Sequence, residues 1–146
     1  MLVVPFEVAS HLFALPLDRI IRVEAMVELQ ALPQPLAHVA GAVIHDGRAL
    51  PVYDLRSKLG LEPRAMLATD RLVLSRARGG AVAVAAESAS AVIEVEPEPA
   101  GTVAGLATAG GAAVLGQRLV LIQDLDRFLD DADAAALAGL LRQLAR

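Results

Sequence analysis

Three histidines, a carboxylate run near the C-terminus and an Asp-Leu-Arg triplet are the residues of this chain that could carry chemistry. His11, His38 and His45 stand far apart and lack the spacing of zinc ligands. Asp124, Asp126, Asp130, Asp131 and Asp133 could gather calcium, but they lack the loop glycine and the closing bidentate Glu of an EF-hand. They read better as a strand-end acid followed by carboxylates that favour the positive pole at a helix start. No nucleophile–base arrangement is present. With no Cys there is neither a disulfide nor a thiolate site, which fits a reducing compartment. The glycines between Gly101 and Gly116 match neither a Walker loop nor a dinucleotide fingerprint. The expectation is therefore a protein without metal or cofactor, one that binds and does not catalyse.

The most informative stretch is Gly41-Ala-Val-Ile-His-Asp-Gly47-Arg-Ala-Leu-Pro51-Val-Tyr-Asp54-Leu-Arg56. Asp46-Gly47 is a hairpin-turn dipeptide, because glycine accepts positive φ without steric cost. Pro51 cannot donate a ladder bond and so predicts an edge strand or a bulge. The closing Asp-Leu-Arg sets a carboxylate and a guanidinium at a rim.

The remaining elements must position that hairpin. At 146 residues the chain is about one domain. Its net charge of −4 and pI near 5.3 disfavour a phosphate-backbone partner, so no nucleic-acid partner is expected. Arg76-Ala-Arg78-Gly79-Gly80 reads as a hairpin loop, not an arginine–glycine tract. Hydrophobic residues make up 55% and aromatics only 3%, so Val, Leu, Ile and Ala must build the core. A basic leader is missing from the first ten residues, and Glu7 interrupts them, which argues against a signal peptide. The uncharged tract Ala100–Gln117 is too rich in glycine for a good membrane span and reads as a connection between strands. A soluble, cytoplasmic protein without membrane insertion is expected.

Short apolar runs separated by turn signals predict strands at 2–8, 12–15, 20–24, 39–44, 48–53, 71–75, 81–86, 91–95 and 119–123. A helical turn is expected at 55–59, ended by Gly60. Leu32-Pro33-Gln34-Pro35 marks a loop. Asp133 is the expected cap of a C-terminal helix over 133–145, with Leu137, Leu140, Leu141 and Leu144 on one face. No fixed-period repeat is evident. This is an all-β pattern with a C-terminal helix, suited to one barrel or a pair sharing an apolar seam.

Four strings resemble the CheW-like coupling domain of bacterial chemosensory systems. They are Phe13-Ala-Leu-Pro-Leu-Asp-Arg-Ile20, Leu32-Pro33 through His38-Val-Ala-Gly41, Leu50-Pro-Val-Tyr-Asp-Leu-Arg56 with Leu59-Gly60, and Leu119-Val-Leu-Ile-Gln-Asp-Leu-Asp-Arg-Phe-Leu129. The resemblance implies one domain over 1–146 made of two intertwined five-stranded SH3-like barrels with a shared hydrophobic core. One barrel would span roughly 35–90 and the other 1–34 with 91–130. It implies a non-catalytic adaptor between the cytoplasmic tip of chemoreceptors and the regulatory domain of a CheA-type histidine kinase, with other CheW-like domains as further partners. The alternatives are a CheW-like protein of pilus motility or development, a competitor of the main coupler, or a small-molecule-binding β-barrel.

Carried onto this sequence, the docking residues are Ile20, Arg22 and Val23 on one strand, with Val39, Asp46, Gly47, Pro51 and Arg56 around the hairpin. Gly41 and Asp54 hold turns, and His45 reads as a solvent-facing turn histidine. Two positions depart from the family pattern. Arg22 replaces a Glu and Asp46 an Arg, which predicts an Arg22–Asp46 ion pair of reversed polarity and a reversed field toward partners. Glu87 stands where the family has Asp and is expected to keep a turn contact.

Overall fold

Continuous apolar runs such as Leu72-Val-Leu74 and Val120-Leu-Ile122 arise because their strands are buried on both faces. The structure, a computed structural model, describes residues 1–98 and 109–144. Its strands are β1 (Leu2–Val8), β2 (His11–Pro16), β3 (Ile20–Ala25), β4 (Val39–His45), β5 (Arg48–Tyr53), β6 (Arg71–Ala77), β7 (Gly80–Ala86), β8 (Ser88–Ala89), β9 (Ile93–Glu94), β10 (Ala109–Leu115) and β11 (Arg118–Gln123). Two helices, α1 (Leu55–Lys58) and α2 (Asp131–Leu144), and 3₁₀ turns at Leu17–Arg19 and Leu125–Arg127 complete the described elements. None of the described helices is long and apolar enough to cross a membrane.

The strands form two sheets. The first runs β10-β11-β2-β1-β8, with β9 also on β1, and the second runs β3-β6-β7-β5-β4. In each, one parallel pairing joins two antiparallel hairpins: β2 with β11, and β7 with β5. The main core lies between the sheets, where Phe6, Phe13 and Leu15 of the first meet Tyr53, Val73 and Val84 of the second. Each sheet also curls around a smaller core of its own. Val3, Leu12, Val120 and Ile122 fill the first, and Leu50, Val52, Leu72 and Leu74 fill the second.

The all-β architecture with a C-terminal helix is as expected, but the sheets are not closed barrels. Their free edges approach through single bridges, Gln30 to Ala42 and Glu98 to Ala112, each from the segment that follows an edge strand. Prolines explain why these contacts stop at one residue: Pro33 and Pro35 follow Gln30 and Pro97 precedes Glu98, and none can extend a ladder. The partition also differs from the expected 35–90 and 1–34 plus 91–130. β3 pairs with β6 in the second sheet, while β8 pairs with β1 in the first.

Four local expectations change. The glycine-rich tract is not wholly a connection, because its 109–115 part forms β10 against β11; its 100–108 part lies outside the described residues. The strand expected at 91–95 is reduced to β9. Asp130, not Asp133, caps α2: its Oδ1 accepts from the Asp133 amide at 2.7 Å. Ala145, expected in that helix, lies outside the described residues. Finally, Pro51 sits neither on an edge nor on a bulge. It is one residue before the first β5–β7 pair, and the bulge falls on β4 between Val39 and Gly41.

The two sheets reveal a repeat that the sequence hides. Gly41–Arg56 and Gly111–Asp126 align without a gap, from bulge glycine through hairpin to the Asp-Leu that opens a helical turn. Asp54 and Asp124 share the same backbone, φ −109° ψ 99° and φ −108° ψ 99°. The β1–β2 and β6–β7 hairpins are likewise equivalent, each closing on a two-residue turn. The chain is thus two repeats, β1–β5 with α1 and β6–β11 with the second 3₁₀ turn, and each lends its first hairpin to the other's sheet.

Both bulge glycines accept a close carbonyl. At Gly41 (φ +155°) a Cβ would lie 2.7 Å from the Gln30 oxygen, and at Gly111 (φ +152°) 3.1 Å from the Glu98 oxygen. Gly41→Ala should lower the urea unfolding free energy by about 1–3 kcal/mol, and by more than Gly111→Ala. Equal, negligible losses would mean that the backbone gives way freely at both bulges.

Candidate protein-docking site

β3 and β4 are opposite edges of the second sheet, yet curling brings their side chains together. Glu24 Oε1 lies 3.5 Å from Arg22 Nη1 and 3.6 Å from His45 Nδ1, and His45 Nε2 lies 3.5 Å from Asp46 Oδ2. The expected direct Arg22–Asp46 pair is therefore not formed. Glu24 and His45 stand between the two, because alternation along β3 puts Glu24 on the same side as Arg22. His45 is correspondingly not a lone turn residue, since its side chain is only 22% exposed. Val23 and Ile44, the strand neighbours of Glu24 and His45, are 40% and 51% exposed. An exposed valine and isoleucine on two edges that Glu24 and His45 bring together, with Arg22 and Asp46 open to solvent, are residue types suited to a docking surface.

The expected docking residues divide between this surface and the interior. Arg22 and Asp46 are open to solvent, at 63% and 91% side-chain exposure, beside Val23 and the positive-φ turn residue Gly47. Ile20 and Val39 are half-buried against the main core. Pro51 is buried and lines the cleft beneath α2, so it does not reach the surface where it was expected. Arg56 is also committed internally: its Nη2 binds Glu87 at 2.5 Å and its Nη1 donates to the Glu62 carbonyl.

Glu87 proves central to that internal network. Its amide donates to the Glu7 carbonyl, and its carboxylate takes both Arg56 and, at 3.4 Å, Arg64. Arg64 grips Asp70 through both carboxylate oxygens, which holds the guanidinium more firmly protonated than usual. Sequence reasoning marked Glu87 only for a turn contact and missed Arg64 and Asp70, whose pairing depends on a loop closing on itself.

Asp54 accepts from the Ser57 amide at 3.3 Å and caps α1, while its own amide donates to the His38 carbonyl. His38 adopts φ +66° and places Nδ1 2.7 Å from Ser57 Oγ. Its ring meets the edge of Phe128, which stacks on Tyr53 at 4.2 Å between centroids. In the other repeat Asp126, at the place equivalent to Arg56, accepts from the Arg78 amide at 2.6 Å and from Arg19 at 3.4 Å. Burial, with Asp126 nearby, pushes the Tyr53 hydroxyl up to about 12. The 240 Å³ cleft under α2 is lined mainly by apolar and small side chains, among them Ala134, Leu137 and Leu141. Asp126, whose charge acts on the Tyr53 hydroxyl, also lines this cleft and is already bonded.

Two curled sheets joined by exchanged hairpins, with exposed apolar side chains at Val23 and Ile44, define the class of fold. The CheW-like domain model matches residues 2–133, and the chain belongs to that family. The fold is similar to the crystal structure of the scaffolding protein TtCheW from Thermoanaerobacter tengcongensis. The TM-score is 0.77 at 22% identity, over 88% of this chain and 92% of that one. None of the curated proteins matches the sequence.

Two measurements probe the site's interior. Tyr53 is the only tyrosine, so a phenolate absorbance titration of the folded protein should show one transition near pH 12. Because the unfolded tyrosine ionises at about 10, stability should be unaffected below that pH and fall as pH rises from there toward 12. A transition near 10 in the folded state would mean the hydroxyl is open to water. Glu87→Gln should cost about 1–3 kcal/mol in unfolding free energy, as it removes the carboxylate charge that pairs Arg56, while Arg64 keeps Asp70. A neutral result would show the network to be solvated.

Proposed function

We propose that this chain is a non-catalytic chemosensory coupling adaptor, binding a CheA-type kinase regulatory domain and a chemoreceptor tip at the same time. Family membership over residues 2–133 carries this reading, and the exposed Val23 and Ile44 are residue types suited to it. TtCheW, with the same fold, is described as a scaffolding protein. Affinity would come from the exposed valine and isoleucine, and partner choice from Arg22 and Asp46. By the sequence resemblance these two have polarity opposite to the family pattern, and both side chains are open to solvent, at 63% and 91% exposure. The reversal matches this adaptor to a kinase and receptor of complementary charge, in a pathway distinct from one using the usual polarity. Like charges facing each other across an interface cost several kcal/mol, in order of magnitude, and so reject the wrong kinase.

Co-purification from the native host should recover a CheA-type kinase and a chemoreceptor together, and binding to the isolated kinase regulatory domain should weaken at least several-fold in Val23→Asp. Recovery of neither partner would overturn the adaptor reading. Arg22→Glu with Asp46→Arg should shift preference toward a kinase of ordinary polarity. Unchanged preference would remove the charges from recognition while leaving the adaptor role standing.

A further inference from the structure

Each sheet combines strands of both repeats, and the residues filling the two curls are not interchangeable. In the first, Leu12 of β2 faces Val120 of β11, which faces Ala113 of β10. At the equivalent places in the second, Val43 of β4 faces Leu50 of β5, and Ala81 of β7 packs on the same cluster. Both rows hold one Leu, one Val and one Ala, but in different places. Pairing like repeats would put Leu12, Leu50 and Val43 in one row and Ala81, Val120 and Ala113 in the other. The first row would be overfilled and the second left with a void, and packed interiors tolerate neither.

Ion pairs also join each hairpin to its new sheet. Arg19, just after β2, pairs with Asp126 after β11, while Arg56 after β5 pairs with Glu87 after β7. Arg64 adds a second cation from the first repeat to Glu87. In these clamps the first repeat supplies the cations and the second the anions, whereas the pair of Arg118 on β11 with Glu7 on β1, at 2.7 Å, runs the other way. Asp18, beside Arg19, is exposed and engages through its carbonyl, which accepts from Arg76. On the register that matches Leu12 with Ala81, Asp18 stands at the place of Glu87, so like-repeat pairing would still offer Arg56 a carboxylate, and the distinction rests on side-chain size.

We infer that each N-terminal hairpin is matched by side-chain size to the other repeat, so that the chain rejects like-repeat pairing, within itself or between two copies. The match is a specificity device in the core: it directs the first repeat, made first, to wait for the second.

The test uses the full chain and keeps its composition constant. Leu12→Ala with Ala81→Leu exchanges the hairpin residues and should lower the urea midpoint clearly. Adding Val43→Ala, Leu50→Val, Ala113→Val and Val120→Leu restores one Leu, one Val and one Ala to each native row. This sixfold variant should recover most of the lost midpoint and elute at the wild-type mass. An ordinary cavity effect predicts the reverse, because four more core changes would destabilise further. A double variant as stable as wild type, or a sixfold variant no better than the double, overturns the inference.

Discussion

Two short parallel seams, β2 on β11 and β7 on β5, hold this molecule together, and every other feature depends on them. Each spans only two or three residue pairs, yet each joins a hairpin of one repeat to a hairpin of the other. Because the hairpins are exchanged, neither sheet can be completed by one half of the sequence. The main core is the consequence: Phe13 and Leu15 point from one seam toward Val82 and Val84 beside the other. Burying each such side chain contributes on the order of 2–3 kcal/mol, and the contribution is shared between the repeats.

That sharing fixes how the surface is presented. The β3–β4 surface sits on the second sheet, but β3 reaches it from the first sheet through the 3₁₀ turn at Leu17–Arg19, whose Arg19 is held by Asp126. The residues that looked suited to docking divide according to this mechanical demand. Arg22, Val23 and Asp46 remain on the outside. Arg56 and Pro51 serve the interior, one clamping Glu87 and the other lying under α2. For the adaptor role proposed above, the exchanged hairpins hold the edges of both sheets in one fixed relation.

Much of the fold was legible. The runs ending at Val8, Ser75 and Gln123 read as strands because large aliphatic residues dominate them, and Asp46-Gly47 marked its turn. β10 was not legible, since Ala109-Gly-Gly-Ala-Ala has weak strand preference and is extended only by its ladder with β11. The repeat was hidden because few positions agree: Gly41 with Gly111, Arg48 with Arg118, and Asp54-Leu55 with Asp124-Leu125 among them. Size matching in the core itself demands that equivalent positions differ. The Arg22–Glu24–His45–Asp46 chain could not be read either, because sheet curvature joins opposite edges that alternation treats as unrelated.

Native-state hydrogen exchange tests most directly the claim that the exchanged hairpins make one cooperative body. Along β2 and β11 in one sheet and β7 and β5 in the other, the slowest amides should share a single opening free energy, equal to that of global unfolding. Two distinct plateaus, one for each sheet, would contradict the account, because they would show that each sheet opens without the other.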